Sequence, residues 1–432
     1  QVFVCAFGIH AEGANRRKAD SHREPPRDPL PFTRDEVLPV TSFLPRLYAH
    51  CFVDELMLIY PFYAVMFVDH GLSPIEISTL LAVWCAVTLI LEVPSGVLAD
   101  RHSRKALMVF GTVLRAAGYA CWALFPGFWG FLAGFVLWGT EGALGSGAFE
   151  ALVYDELKHA GRESEYARVV GRCRSLGQMG VVVSGAIAAG AIALGYGVLL
   201  FASSAAAIVA GLLMLSLPTV APVAPIGATG FKAYTATLRA GIGEVVLRPF
   251  VRRLVLFAAL AMSLGGTLEE YWPILLAEMD MPAYALGLFL SILWSAQAVA
   301  SLVAHRFVDL SDRTIYATFT FSGVLLFGAA WSLHVAALGL ILIFVFVLQA
   351  IDIIYDARLQ AAIPSEHRAT ASSVKSFGSE VGGLIVVMAM GAIVTGRSYQ
   401  VGFEWFGITI TLLGAIYLLL TLRAPGGAAG SG

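Results

Sequence analysis

Charged residues are scarce in this chain of 432 residues. Asp, Glu, Lys and Arg together make up 13% of it, whereas ordinary soluble domains hold about 25%. Apolar residues make up 58%, and the mean hydropathy is +0.77. A soluble protein of this length could not bury so much apolar surface. The composition therefore indicates an integral membrane protein, in which each span needs about 20 apolar residues.

Other features are missing, and each absence excludes a class of protein. The formal net charge is -2 and no basic patch is visible, which argues against a nucleic-acid partner. The five cysteines stand singly, without the spacing of a disulfide framework or a zinc site, so no metal or cofactor is implied. No Gly-x-x-x-x-Gly-Lys sequence occurs, which argues against ATP as the energy source. No basic region precedes the short apolar run at residues 2–9, which therefore does not have the form of a signal peptide.

Twelve apolar segments follow a polar stretch, 1–43, which is rich in proline and charge and is predicted to be a disordered cytoplasmic tail. The segments cover residues 44–69, 74–99, 106–125, 128–152, 169–194, 196–217, 250–276, 284–308, 315–333, 335–357, 372–395 and 402–422. The boundary near Ser332 to His334 is the weakest, because the apolar signal barely drops there. We expect two bundles, 44–217 and 250–424, and a flexible tail, 425–432.

A linker, 218–249, separates the two bundles and begins with a proline-rich stretch. Apolar residues then recur at a spacing of three and four, which predicts an amphipathic helix lying at the cytoplasmic membrane surface. These residues are Phe231, Tyr234, Leu238, Ile242 and Val245.

Basic residues alternate along the chain in a way that predicts its orientation. The second, fourth, sixth, eighth and tenth loops hold nearly all the Lys and Arg between spans, whereas Arg397 is the exception in an odd-numbered loop. Cytoplasmic loops carry the excess of basic residues in membrane proteins. The alternation predicts that both termini lie in the cytoplasm.

An internal repeat appears when the chain is compared with itself at a shift of 201 residues, as between Tyr154 and Tyr355. Asp155 falls on Asp356 and Arg174 on Lys375, at the junction of spans four and five and of spans ten and eleven. The predicted fold class is therefore an all-α polytopic membrane protein with twelve transmembrane helices in two pseudo-symmetric six-helix bundles.

The turn from Gly96 to Lys105 carries the pattern Gly-x-x-x-Asp-Arg-x-x-Arg-Lys. With the preceding residues 91–95, it resembles the loop between helices two and three of major facilitator superfamily transporters, except that Ser103 stands where the family usually has a second glycine. Residues 362–370 resemble the family's loop between helices ten and eleven, while the loop at 305–313 is a degenerate copy of the first motif. The resemblance covers residues 44–422. It implies a secondary transporter whose halves rock around a central cavity.

The resemblance also implies a gate. In the family, the aspartate and the arginines of this loop bridge neighbouring helix ends and stabilise one access state. Acids near the cytoplasmic rim, where water and the basic loops can solvate them, are expected to act as gate or latch residues too. The predicted gating or latch residues are Gly96, Asp100, Arg101, Arg104, Lys105, Asp155, Asp356 and Arg368.

Acids inside the spans are the main functional signal. A charge at the bilayer centre costs about 2.5 to 3.5 kcal/mol on insertion scales, so it is retained for a reason. A carboxyl group in a low-dielectric cavity can exchange a proton near physiological pH, and a carboxylate also attracts cationic substrates. The predicted residues for proton coupling and the substrate cavity are Asp54, Glu55, Tyr60, Glu141, Glu269, Glu270, Tyr271, Trp272 and Glu380. Asp54, Glu141 and Glu270 are the leading acids, and the aromatic residues would face a cation or ring.

Structural alternatives stand beside these assignments. Glu55 and Glu269 could each make a polar contact between helices. His50, one turn before Asp54, could relay a proton or simply form a hydrogen-bonded pair with it. Arg115, the one deep cation, is expected to neutralise Glu92 or Glu141 and to hold helices together.

Span five is rich in glycine and loosely resembles the fifth helix of antiporters in the family, although the expected proline is missing and glycines also serve plain helix packing. The family's arginine of helix four has no counterpart in residues 137–141. The hypothesis is a monomeric, proton-coupled exporter of small amphipathic or cationic molecules in the plasma membrane. The alternatives are a proton symporter that imports a metabolite, an integral-membrane enzyme and a non-transporting receptor.

Overall fold

The computed structural model describes residues 40–218, 249–362 and 368–423, and within these ranges the regular structure is helical with no strand. Ten of the described helical segments are long and apolar enough to cross a membrane. The predicted amphipathic helix over 231–245 and nearly all of the predicted tail 1–43 lie outside the described residues.

Eight helices form the first half. They are α1 (Val40–Asp54), α2 (Tyr63–Asp69), α3 (Pro74–Arg101), α4 (Arg104–Leu124), α5 (Phe128–Gly145), α6 (Ala148–His159), α7 (Tyr166–Ala191) and α8 (Tyr196–Leu215). Seven helices form the second half. They are α9 (Pro249–Glu269), α10 (Trp272–Glu278), α11 (Ala283–Val303), α12 (Asp312–Ser332), α13 (Leu338–Ala362), α14 (Arg368–Val394) and α15 (Tyr399–Arg423).

The helices follow the predicted segments, with three interruptions. The first, fourth and seventh segments each contain two helices, namely α1 with α2, α5 with α6, and α9 with α10. The uncertain boundary after the ninth segment is real, because α12 ends at Ser332 and Leu333 adopts a φ of 39° that stops the helix. The first and seventh segments are the opening helices of the two halves, so both halves begin with a broken helix.

Local chemistry sets the ends of the helices that flank the charged turn. At the start of α3, the Ser73 backbone N–H donates to Glu76 Oε2 at 2.8 Å, and Pro74 occupies the first helical position. At the start of α4, Ser103 Oγ accepts the Ala106 N–H at 3.3 Å. Ser103 therefore caps a helix, since a hydroxyl there satisfies an N–H that has no partner within the helix.

Three pairs of helices join the halves: α3 packs against α14, α7 against α11, and the short α2 against the short α10. A Cβ atom added to Gly391 of α14 would lie 2.6 Å from the Ser78 Cβ of α3, so these two helices approach closely. A Cβ atom added to Gly287 of α11 would lie 2.9 Å from the Phe62 ring in the first half. Both close contacts lie towards the end of the bundle opposite the α3–α4 turn.

Each short helix is tied to the last helix of its own half. At the end of α2, Asp69 accepts a hydrogen bond from the Tyr196 hydroxyl at the start of α8. At the end of α10, the Glu278 carboxylate accepts the backbone N–H groups of Tyr399 and Gln400 at 2.7 and 2.9 Å, at the start of α15. A carboxylate at a helix N-terminus satisfies free N–H groups and complements the helix dipole.

Glycines make the α12–α15 packing possible, and this gives the first prediction. A Cβ atom on Gly407 would lie 2.7 Å from the Phe327 backbone nitrogen, whereas one on Gly339 of α13 would meet nothing within 4 Å. We expect Gly407→Ala to lower the free energy of unfolding by about 1–3 kcal/mol, because the backbones must separate. Gly339→Ala should not lower it. Thermal unfolding of the purified protein measures both, and equal stability of the two variants would contradict this packing.

Candidate functional site

Arg115 is completely buried at the centre of the first half and binds two of the predicted acids. It forms ion pairs with Asp54 at the end of α1 and with Glu141 of α5, the latter with a distance of 3.7 Å between Nη1 and Oε1. The expected pairing with Glu141 is confirmed, whereas the pairing with Asp54 was not predicted. A buried guanidinium needs negative partners. Asp54 and Glu141 thus share one cation, and their predicted place in the substrate cavity stays a prediction.

His50 does not form the predicted pair with Asp54 through Nδ1. Its Nδ1 lies 2.9 Å from the carbonyl oxygen of Ala210 in α8, to which it donates a hydrogen bond. This contact attaches the imidazole ring to α8, and both alternatives for His50 stay predictions.

Glu55 lies beside the Arg115 cluster and packs against the glycine-rich α7. Its Oε2 is buried and has no hydrogen-bond partner among the described residues. A Cβ atom on Gly180 would lie 2.4 Å from the Phe52 carbonyl oxygen and 3.1 Å from the Glu55 Cβ. The glycines of span five thus allow α1 to approach α7 closely. This is the helix-packing role predicted from the sequence as the alternative to an antiporter motif.

Glu270 lies in the break between α9 and α10 and connects the two halves. Its Oε1 accepts the Tyr60 hydroxyl at 3.2 Å, and its Oε2 accepts the Tyr63 hydroxyl. Both tyrosines belong to the first half, and Glu270 is only 5% exposed. Hydrogen bonds to charged groups are stronger than neutral ones. A single carboxylate of one half is therefore held by two phenols of the other.

Glu269, the neighbouring acid, has a different environment. Its Oε1 accepts the Trp294 indole N–H at 2.8 Å, and its Oε2 accepts the Gln297 side-chain amide at 3.3 Å. Both donors lie on α11 of the same half. Adjacent residues of a helix point in different directions, so one acid serves its own half and the other faces the partner half.

Aromatic side chains surround the carboxylate of Glu270. Tyr60 stacks on Trp294 with ring centroids 5.6 Å apart and an angle of 30°, and meets Trp138 edge-on at 6.3 Å. Tyr63 also meets Trp138 edge-on. Of these residues, Tyr60 and Glu270 were predicted from the sequence as cavity residues, whereas Tyr63, Trp138 and Trp294 were not. A polar Gln297 three residues after Trp294, inside an apolar span, is the signal that could have drawn attention to α11.

Tyr271 and Trp272 do not act together. The Tyr271 hydroxyl lies 2.8 Å from Ser78 Oγ of α3, so it bridges the halves. Trp272 stacks on Phe403 at 4.8 Å and is buried in the second half. The predicted role of Trp272 as an aromatic face of the cavity stays a prediction.

Glu380 lies on α14 and Glu92 on α3, the two helices that pack against each other across the halves. Arg115 does not neutralise Glu92 through an ion pair, since its described partners are Asp54 and Glu141.

The predicted gating residues form bonds inside each half. Arg104 pairs with Asp155 of α6, and the Lys105 amine donates to the Leu217 carbonyl after α8. In the second half, Lys375 Nζ lies 2.9 Å from Asp352 and 2.7 Å from Asp356. Gly96 lies on an exposed face of α3. The side chains of Asp100, Arg101 and Arg368 lie outside the described part of the chain.

Hydrogen bonds between the halves concentrate at the centre and at the α2–α10 end. They join Tyr60 and Tyr63 to Glu270, Ser78 to Tyr271, and Gln178 to the Trp294 carbonyl oxygen at 3.3 Å. Towards the α3–α4 turn, the pairs Arg104–Asp155, Arg174–Glu150, Arg358–Asp312 and Lys375 with Asp352 and Asp356 each join helices of one half. The halves are thus held together at one end and at the centre.

Comparison with known proteins supplies an independent line of information. A family model described as Major Facilitator Superfamily matches residues 51–357, which is more than half of the chain. No curated protein sequence matches.

Solved transporter structures share the fold. The nucleoside transporter NupG matches with a TM-score of 0.70 and 14% identity, over 89% of this chain and 100% of that one. A bacterial homolog of the human lysosomal transporter Spinster, inward-facing and unoccupied, matches with a TM-score of 0.65 and 14% identity, over 88% of this chain and 95% of that one. The D-xylose–proton symporter matches with a TM-score of 0.63 and 12% identity, over 87% of this chain and 96% of that one. At these identities the likeness concerns the fold alone.

Proposed function

The chain belongs to the major facilitator superfamily and is a multi-pass membrane transporter, and from that premise we propose that it exchanges protons for small amphipathic cations. We propose further that it works as a monomeric exporter in the plasma membrane, with both termini in the cytoplasm. The observation that carries the proposal is the pairing of Glu270 with Tyr60 and Tyr63 across the two halves.

Separation of the two halves changes the surroundings of Glu270. In the present state its charge is stabilised by two phenol hydroxyls of the first half. When the halves separate around Glu270, these donors move away with the first half, and a carboxylate left without them in a low-dielectric site is costly. A proton or a cationic substrate removes that cost.

Competition for one carboxyl group then produces exchange. A protonated Glu270 has no charge to attract a cation, and a bound cation leaves no place for the proton. Each ligand stabilises the states that it binds, so the gradient of one drives the movement of the other. Because both ligands compete for Glu270, while the oxygens of the neighbouring Glu269 accept hydrogen bonds from Trp294 and Gln297, this arrangement favours exchange.

The distribution of contacts supports loading from the cytoplasm. The halves are joined at the centre and at the α2–α10 end, while the basic loops lie at the other end. If those loops are cytoplasmic, as the excess of Lys and Arg indicates, substrate reaches the site from inside. In the proposed cycle, the contacts of Glu270 with Tyr60 and Tyr63 open towards the basic loops to load the cation, and exchange for external protons then drives its export.

A transport assay tests this proposal. Purified protein is placed in vesicles with an imposed pH gradient, and uptake of N-methylquinolinium, a cation that cannot lose its charge by deprotonation, is measured. Exchange predicts accumulation when the interior is acidic, because protons leave as the cation enters. Accumulation only when the exterior is acidic would indicate symport and overturn the proposal. Protein-free vesicles and vesicles without a gradient are the controls.

A further inference from the structure

The contact between Tyr60 and Trp294 is an aromatic stack between the two halves. Tyr60 precedes α2 in the first half, and Trp294 lies on α11 in the second. Their ring centroids are 5.6 Å apart, within the range of favourable aromatic pairs. The stack lies beside Glu270, whose Oε1 accepts the Tyr60 hydroxyl.

Trp294 is held firmly within its own half. Its indole N–H donates to Glu269 Oε1 at 2.8 Å, and the second oxygen of Glu269 binds Gln297 one turn further along α11. The indole therefore has a fixed orientation relative to α11. Tyr60, by contrast, is fixed by the first half, where Trp138 meets it edge-on.

We propose that Tyr60 and Trp294 form an aromatic slot that receives the flat ring of an aromatic cation, and that Glu269 is the positioning residue that orients Trp294. The slot deepens the proposed function, on which it rests, by naming the class of substrate. Glu270 supplies the negative charge beside the slot.

One movement makes the whole site available. When the halves separate, Tyr60 and Trp294 each lose the ring that covers one face, and Glu270 loses the hydroxyls of Tyr60 and Tyr63. A planar cation replaces both kinds of contact, because its ring covers the aromatic faces and its charge meets the carboxylate. An aliphatic ammonium ion of the same charge meets only the carboxylate.

The slot predicts a preference that depends on Trp294. We compare binding of N-methylquinolinium and of tetramethylammonium by calorimetry. Trp294→Leu should weaken quinolinium binding about tenfold and change tetramethylammonium binding by less than about twofold, as expected for loss of a desolvated aromatic contact. Trp294→Phe, which keeps an aromatic ring, should weaken quinolinium binding less than Trp294→Leu does. Trp331→Leu is the control, because Trp331 is 69% exposed on α12.

A second variant keeps the test independent of any folding defect at position 294. Tyr60→Leu should cause the same selective loss, whereas Tyr60→Phe should retain the preference for the ring. Equal weakening of both cations by Trp294→Leu and by Tyr60→Leu would overturn the slot.

Two substitutions of Glu269 separate positioning from proton exchange. In Glu269→Gln an amide oxygen still accepts the indole N–H, so quinolinium binding should stay within about threefold and exchange driven by the pH gradient should continue. Glu269→Leu removes the acceptor and should lower quinolinium binding about tenfold. Loss of proton-driven exchange in Glu269→Gln would overturn the positioning role.

The two proposals fail in different ways. If the ring preference depends on Trp294 but no pH gradient drives the cation, the exchange mechanism is wrong and the slot remains. If the gradient drives both cations equally in the wild type and in Trp294→Leu, the slot is wrong and exchange remains.

Discussion

Replacement of Glu270 by glutamine should abolish accumulation of a cation driven by a pH gradient. The amide oxygen still accepts one of the two tyrosine hydroxyls and the amide N–H donates to the other hydroxyl oxygen, so the folded structure is retained, but the amide carries no charge and cannot take up a proton. We expect the initial rate of proton-driven uptake in vesicles to fall by about 100-fold or more, since about 2.7 kcal/mol of charge stabilisation corresponds to that factor.

The pH dependence of cation binding should change in the same variant. In the wild-type protein, protons compete for Glu270, so binding weakens as the pH falls; in Glu270→Gln the weaker binding that remains should be independent of pH. Glu404→Gln is the matched control, because the Glu404 carboxylate only accepts a hydrogen bond from Gln400 of the same helix at 3.1 Å. Wild-type accumulation in Glu270→Gln would show that the coupling acid lies elsewhere.

Loss of Arg115 should have the largest effect on stability. Arg115→Met leaves Asp54 and Glu141 buried without their cation, and removal of one partner from a buried ion pair costs about 3–5 kcal/mol. We expect little folded protein from this variant. Size-exclusion chromatography of detergent extracts, followed by thermal unfolding of the recovered fraction, measures the loss.

A compensating variant tests the cause. Combining Arg115→Met with Asp54→Asn and Glu141→Gln removes all three charges and should recover most of the folded protein. Arg172→Met, at an exposed position of α7, should have an effect within about 0.5 kcal/mol. If the triple variant is no more stable than Arg115→Met alone, the arginine acts through its packing rather than its charge.

The fold could be predicted from the sequence because hydropathy reports which residues face lipid. The twelve apolar segments correspond closely to the helices, including the end at Ser332. The breaks inside the first, fourth and seventh segments were not predicted. Residues 55–62 are nearly as apolar as their neighbours, and hydropathy reports burial in lipid but carries no information on φ and ψ.

The site could be predicted only in part. Charge within a span identified Glu270, because an ion in the bilayer is unusual wherever it stands. The partner Tyr63 is 207 residues away in the sequence, and no local pattern encodes a contact between helices of different halves. The same reason explains why Asp54 was not recognised as a partner of Arg115, 61 residues later. Trp294 looked like one more apolar residue of a span.

The attachments of α2 to α8 and of α10 to α15 have a consequence for inhibition. Because Asp69 and Glu278 attach each short helix to a long helix of its own bundle, neither short helix moves independently of that bundle. A compound wedged between them would have to tilt an entire bundle in order to fit. It could therefore arrest the cycle from the protein surface, without ever reaching the aromatic rings at the centre.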